Sequence, residues 1–433
     1  MNWDFLIKDK DSLCVSTDTR NLPAGCVFFA LHGERFDGNK FALQALEQGA
    51  SLAVIDDPEV YLHAQRSSSP QGDLQGAADR PRLLLVEDTL LALQELARAW
   101  RRELGLPIIG ITGTNGKTTT KELLATVLST KYNLYYTQGN LNNQIGVPLT
   151  LLQITRAHEL AIVEMGASHP GDIKELVDIA EPNYGLITNV GRAHLEGFGS
   201  FEGVQRTKQE LYDYLLAHNG TIFRNADNPF LAQMQNHATQ LLHNSTQLLH
   251  NSTQLLHNST QLYTTGTMPS GTHLVGEYNA ENVSAAICVG EYFGIPSEQA
   301  LEAIRQYVPT NNRSQALQTA SNQLIVDAYN ANPTSMQAAI NAFKGDTYIL
   351  GAMRELGDYS HLEHQNIVNM LAERKADTVF LVGEEYLQTT SPYPVFENVE
   401  QLHKYLEDNP IKGKHILLKG SRSTRMEQLL DVL

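Results

Sequence analysis

The feature that most constrains this chain is one short loop. A compact apolar run, Pro107-Ile108-Ile109-Gly110-Ile111-Thr112, is followed at once by Gly113-Thr114-Asn115-Gly116-Lys117-Thr118-Thr119-Thr120 and then by a helix-compatible stretch over residues 121–128. Strand, glycine-bearing turn, Lys-Thr pair and helix in that order are the parts of a phosphate cradle. Glycines allow backbone conformations in which successive N–H groups curl around an anion. The helix that follows aims the positive end of its dipole at the same point. Lys117 then offers a point charge for the β- and γ-phosphates of a nucleotide, and the Thr118 hydroxyl can ligate Mg²⁺. The spacing departs from the general phosphate-binding loop, which has glycine five residues before Gly116, where this chain has Ile111.

The rest of the chain is organised around that loop. Its 433 residues leave room for several domains. Upstream, apolar runs at 27–31, 52–55 and 83–86 alternate with helix-like stretches such as 41–48, which predicts a small α/β domain. Downstream, strand signals at 160–163 and 184–188 with helical segments between them predict a mostly parallel sheet. A third α/β unit begins near Pro309, with strands expected at 324–326, 347–350, 378–382 and 415–418. The reading is therefore an α/β protein of three domains, residues 1–103, 104–308 and 309–433. The polar stretch 67–79 reads as a surface loop. A seven-residue unit, His243-Asn244-Ser245-Thr246-Gln247-Leu248-Leu249, recurs over about 237–262. Its leucines allow a coiled-coil seam. Asn, Ser and Thr are poor helix formers, however, and no charge pairs flank the seam, so a tolerated insertion fits better.

Composition narrows the function classes. A formal net charge of −16 argues against a general nucleic-acid binder. No apolar run approaches the ~20 residues of a membrane span, and Met1-Asn2-Trp3-Asp4 lacks the basic start and apolar core of a signal peptide. A soluble, cytoplasmic protein without membrane insertion is expected. Cys14, Cys26 and Cys288 match neither a metal-ligand spacing nor a disulfide framework, so a reducing compartment is expected.

Two residues after predicted strands could serve a metal. Glu164, in Glu164-Met165-Gly166-Ala167, would stand at the carboxyl edge of the sheet, where open α/β sheets bind ligands. His194 follows the next strand in Gly191-Arg192-Ala193-His194-Leu195. A carboxylate and a neutral imidazole can hold Mg²⁺ against phosphate oxygens. Read alone, each is equally a structural residue.

The variant Gly113-Thr114-Asn115-Gly116-Lys117-Thr118-Thr119 resembles the signature of the Mur ligases and their folate-ligase relatives. The resemblance covers nearly the whole chain, apart from 67–79 and the heptad tract. It implies a small N-terminal α/β domain for a UDP-linked substrate, a central phosphate-loop ATPase domain and a C-terminal Rossmann-like domain. It makes Thr118, Glu164 and His194 metal ligands, and Lys208 a carbamylated lysine that binds a second Mg²⁺. Asn279 and Asn282, in Gly276-Glu277-Tyr278-Asn279-Ala280-Glu281-Asn282, resemble the adenine-side motif, and Arg313 the arginine that reaches the phosphates on domain closure; Asp327 belongs with them at the nucleotide. Lys117, Lys208, His194 and Arg313 form the implied catalytic set. Read alone, Lys208 is a solvated helix lysine and Arg313 a surface ion-pair partner.

Substrate contacts are implied at Ser16, Thr17, Asp18 and Arg20, where hydroxyls and a guanidinium suit uracil and diphosphate; a turn or cap explains Ser16 and Asp18 as well. Asn140, Asn142 and Asn143 resemble a loop near the acceptor end and equally an ordinary Asn/Gly turn. Tyr329-Asn330-Ala331-Asn332-Pro333 and Lys419-Gly420-Ser421-Arg422-Ser423 resemble the branch that joins D-alanyl-D-alanine to UDP-N-acetylmuramoyl-tripeptide, placing Tyr329, Asn330, Asn332, Lys419, Ser421 and Arg422 at the substrates. ATP and Mg²⁺ follow as cofactors, and a monomer is expected. Three residues depart from the family pattern: Tyr278 where histidine is usual, and Val326 and Ala352 where aspartate is. Another Mur or folyl-polyglutamate ligase, or a catalytically silent nucleotide-binding protein, stay open as alternatives.

Overall fold

A computed structural model describes residues 2–34, 36–67, 82–245, 260–310 and 313–433, with side chains described in the helix Pro229–Ser245 only as far as residue 237. Most of the polar stretch 67–79 and of the heptad tract 237–262 lies outside the described residues. Two compact units result: residues 1–110, 132–165 and 175–182 form one, and residues 111–131, 166–174 and 183–433 the other.

In the first unit, strands β1 (Val15–Ser16), β2 (Val27–Phe29), β5 (Leu52–Ile55) and β6 (Leu83–Leu85) form a parallel sheet in the order β1-β2-β5-β6, with a hairpin of β3 (His32–Gly33) and β4 (Phe36–Asp37) between β2 and β5. Phe28, Ala53 and Ile55 pack beneath the short helix Ala42–Glu47. The amphipathic helix Thr89–Leu104 buries Leu93, Leu96 and Trp100, starts at an Asp88 side-chain cap and stops at left-handed Gly105. Cys14 and Cys26 are joined as a disulfide with Cα atoms 4.5 Å apart. This corrects the expectation of no disulfide. Val15 pairs with Val27 across parallel strands, so the residue before each strand has the other for a neighbour. Nothing in a 12-residue separation shows that.

The second sheet contains β7 (Ile108–Thr112), β8 (Leu134–Tyr136), β9 (Leu160–Glu164), β10 (Tyr184–Ile187), β11 (Thr221–Asn225) and β12 (Thr260–Tyr263), in the order β12-β11-β10-β7-β9-β8. Strands β7 and β9 are buried along their whole length, as a sheet covered on both faces requires. The third sheet contains β13 (Gln315–Gln318), β14 (Gln323–Asp327), β15 (Thr347–Gly351), β16 (Thr378–Val382), β17 (Val395–Phe396) and β18 (His415–Lys419), in the order β13-β14-β18-β15-β16-β17. Only β13 runs antiparallel. Apolar residues fill both its faces: Met336, Ile340, Leu350 and Leu381 on one, Val326, Ile349, Leu402 and Leu418 on the other. No helix among the described residues is long and apolar enough to cross a membrane.

Candidate active site

The phosphate loop leaves β7 and enters a helix that begins at Lys117 itself, Lys117–Leu128, four residues earlier than the apolar pattern suggests. Gly116 caps it at φ 79° and Gly113 stands at φ 144°, backbone that a side chain at Gly113 would have to share with the Thr188 hydroxyl. A Cβ on Gly116 would lie 2.6 Å from Asn282 Oδ1. The loop is pinned from β10's end. Thr114 N–H donates to the Asn189 carbonyl at 3.0 Å, Asn115 N–H to Asn189 Oδ1 at 3.0 Å, and the Thr188 hydroxyl to the Asn115 carbonyl at 2.6 Å. Lys117 Nζ folds back onto the Gly113 carbonyl at 2.7 Å. Thr118 is buried in the first helical turn.

Asn279 and Asn282 are buried on the helix Asn279–Tyr292. Asn282 Oδ1 accepts from the Thr120 hydroxyl at 3.0 Å, its Nδ2 donates to Asn279 Oδ1 at 2.9 Å, and Asn279 Nδ2 donates to the Val275 carbonyl at 2.8 Å. Asn282 thus braces the phosphate-loop helix, and Asn279 holds Asn282 in place. Tyr278, the departure from histidine, is bonded through its hydroxyl to Ser314 Oγ at 2.5 Å, and burial raises its pKa.

Lys208 lies on the helix Phe201–Ala217 and is 2% exposed. Burial first, and the Lys117 ammonium second, push its amine well below the usual lysine range. Lys208 Nζ and His194 both rest on one ring that the sequence reading missed: Phe198 lies 5.6 Å from the amine and 6.2 Å from the imidazole. His194 itself caps the short helix Leu195–Phe198 at φ 51°, a left-handed conformation uncommon outside glycine. Its Nδ1 touches a carboxylate oxygen of Glu355.

The C-terminal motifs converge as well. Lys419 Nζ, 1% exposed, pairs with Asp327 Oδ2 at 2.5 Å and donates to the Asn330 carbonyl at 3.3 Å, while Ser314 N–H donates to Asp327 Oδ1 at 3.3 Å. Arg313 stacks over Tyr329, its Cζ 3.7 Å from the ring centroid, with Arg422 on the same ring at 5.7 Å. Ser421 Oγ donates to the Ala352 carbonyl at 2.7 Å. Asn332 is a helix cap with a full capping box on Pro333–Ala342, and its amide donates to Asn115 Oδ1 in the phosphate loop at 2.7 Å.

The remaining candidates belong to the other unit. Glu164 ends β9, buried, and accepts from Asn142 Nδ2 at 2.8 Å, so the Asn140–Asn143 turn and this carboxylate meet. Asn142 N–H donates to the Asn140 carbonyl at 2.8 Å, and Asn143 Oδ1 accepts the Gly146 N–H at 2.8 Å, just before the helix Gly146–Leu152. Ser16 and Asp18 close a turn on each other, with Thr17 half-buried between them. The exposed Arg20 guanidinium pairs with Asp18 at 2.6 Å and its hydrogen bond holds that carboxyl down to about 2.

Comparison with known proteins settles the family. Residues 14–101 match the model described as "Mur ligase family, catalytic domain", 111–290 the "Mur ligase middle domain", and 312–422 "Mur ligase, glutamate ligase domain". The chain belongs to the Mur ligase family. Among its relatives, the UDP-N-acetylmuramoyl-tripeptide--D-alanyl-D-alanine ligase of Bacillus subtilis is 35% identical over 97% of this chain and 92% of its own, and that of Escherichia coli 33% identical over 97% and 93%. Among solved structures, MurF of Acinetobacter baumannii has a TM-score of 0.77 at 29% identity over 96% of this chain and 92% of its own. MurF ligase of Thermotoga maritima, solved in complex with ADP, has a TM-score of 0.78 at 25% identity over 98% of each. This Mur ligase therefore has relatives of one named activity along essentially its whole length.

Proposed function

We infer that the chain is an ATP-dependent ligase that joins D-alanyl-D-alanine to UDP-N-acetylmuramoyl-tripeptide in peptidoglycan synthesis. The observation that carries this is near-full-length similarity to ligases of that name, in a chain whose phosphate loop keeps its cradle and its lysine.

The site's chemistry supports ATP and Mg²⁺. Two glycines at φ 144° and φ 79°, backbone that other residues rarely adopt, shape a turn at a helix N-terminus, where backbone N–H groups suit an anion. We propose Thr118, Glu164, His194 and a carbamylated Lys208 as the residues that hold Mg²⁺, which when bound supplies neutralisation of phosphate charge. In the reaction the tripeptide's terminal carboxylate oxygen attacks the γ-phosphorus and ADP leaves. The dipeptide amine then attacks the acyl phosphate carbonyl, loses a proton, and phosphate departs. Lys117 and Arg313 offset the charge that develops on the transferred group. Ser16, Thr17, Asp18 and Arg20 take the UDP moiety, and Tyr329, Asn330, Asn332, Lys419, Ser421 and Arg422 the amine side. Asn279, Asn282 and Asp327 face the nucleoside. Domain boundaries after 103 and 308 fit this division of labour, since each falls between two matched segments.

Phosphate release measured with each substrate omitted in turn tests the reading. Release that needs both the UDP-tripeptide and D-alanyl-D-alanine is expected. Equal rates with free L-amino acids would overturn it.

A further inference from the structure

The loop after β15, Gly351-Ala352-Met353-Arg354-Glu355-Leu356-Gly357, lies against the loop that carries His194. Each contributes a non-glycine residue in left-handed backbone, His194 at φ 51° and Glu355 at φ 61°. They meet side chain to side chain, His194 Nδ1 on a carboxylate oxygen of Glu355. The Glu196 N–H donates to the Glu355 carbonyl at 3.4 Å. Strained backbone persists only where its surroundings hold it, and two such residues in mutual contact mark a built junction. His364 is part of the build: buried on the helix Ser360–Glu373, it accepts the Met353 N–H at Nε2 (3.0 Å), fixing the loop two residues before Glu355.

We propose that Glu355 is a positioning residue for the metal site. A carboxylate oxygen against Nδ1 favours the imidazole tautomer protonated there, which leaves the Nε2 lone pair for a metal. The carboxylate comes from the segment matched by the C-terminal family model, and the imidazole from the segment matched by the middle one. Seating the 351–357 loop therefore completes a ligand on the other side of the junction. Three further contacts hold the same junction without touching His194's ring: Arg192 to the buried Glu363 at 2.8 Å, Arg192 N–H to Thr334 Oγ1 at 3.0 Å, and Asn332 to Asn115. Loss of Glu355 alone thus leaves the loop seated and isolates the tautomer effect.

The inference rests on the reading of His194 as a metal ligand, so His194→Ala is measured beside it. Binding of Mn²⁺ to the full chain with ADP is titrated by electron paramagnetic resonance, without turnover. Glu355→Ala should weaken Mn²⁺ by about tenfold or more, with an unchanged melting temperature and an unchanged KM for the UDP-tripeptide. Glu355→Gln, which keeps an acceptor oxygen, should bind Mn²⁺ within about threefold of wild type, and Glu355→Leu, which fills the space without an acceptor, carries the alanine test if that protein fails to fold. Weak binding in His194→Ala with wild-type binding in Glu355→Ala would overturn the proposal. So would a glutamine variant as weak as the alanine one. Wild-type binding in His194→Ala would instead remove the metal-ligand reading beneath it.

Discussion

Replacing Lys208 tests whether its side chain works as a carbamate. A free lysine, with a reference pKa of ~10.4, is neutral in only about one molecule per thousand at pH 7.4. Each ~1.4 kcal/mol by which the surroundings disfavour the ammonium multiplies that fraction by ten. Lys208 is 2% exposed and has Lys117 nearby, and both its burial and that neighbouring ammonium disfavour a second cation there. Carbon dioxide adds to the neutral amine, forming a C–N bond with loss of a proton, and the product is an anion beside Lys117. Burial thus favours the modification by freeing the amine, and Lys117 favours it by turning from a repulsive neighbour into an attractive one. Removing one preorganised charged group from a charge-developing transition state costs about 10²–10³ in kcat. Lys208→Ala should lose that much, and formate should restore part of it by filling the vacated anionic position. Lys208→Arg should stay inactive, because guanidinium keeps its proton and takes up no carbon dioxide. The assay is acceptor-dependent phosphate release, paired with ¹³C NMR of protein equilibrated with labelled bicarbonate. A fully active arginine variant, or an active wild type with no carbamate resonance, would refute the reasoning.

Four further outcomes follow from the structure. Gly113→Ala must place a Cβ on the Thr188 hydroxyl at φ 144°, so ADP affinity measured by calorimetry should fall at least about tenfold from ~1–3 kcal/mol of strain; unchanged affinity would show that the loop does not need its shape. Lys419→Met leaves Asp327 half of a buried pair, and denaturant unfolding should report a loss of about 3–5 kcal/mol, much of it recovered in a double variant with Asp327→Leu. His364 has its pKa lowered by burial, so the unfolded chain binds its proton more readily. Stability should then be flat above the ordinary histidine pKa of ~6.5 and fall as pH drops through it, by at most ~1.4 kcal/mol per unit, a dependence that His364→Gln should flatten in melts between pH 8 and pH 5. Cys14→Ser removes a cross-link between residues 12 apart, worth about 3 kcal/mol, so melts under oxidising and reducing conditions should coincide in the variant and differ in the parent.

What could be read without coordinates was what the chain writes contiguously. The phosphate loop needs residues within one turn of each other, and the buried strands are short apolar runs. Expected strands at 324–326, 347–350, 378–382 and 415–418 correspond to Gln323–Asp327, Thr347–Gly351, Thr378–Val382 and His415–Lys419. Their spatial order was not legible: β18 lies between β14 and β15, and a strand's composition does not name its neighbours. The polar edge strand Gln315–Gln318 carries no apolar signal because an antiparallel edge buries only one face.

The site residues divide along the same line. Lys117 and Thr118 are given by the loop, whereas the surroundings of Lys208 and His194 are not. No motif names Phe198, four residues after His194, or Glu355, which folding brings against His194 from about 160 residues away. Several motif residues also hold the scaffold: Asn332 caps a helix, Asn143 bonds the Gly146 N–H, Asn282 bonds the phosphate-loop helix, and Asp18 takes up Arg20. The two uses are compatible where the structural bond employs one atom of the group and chemistry another. His194 is the clearest instance, with Nδ1 committed across the junction and Nε2 left to decide whether the ring serves a metal.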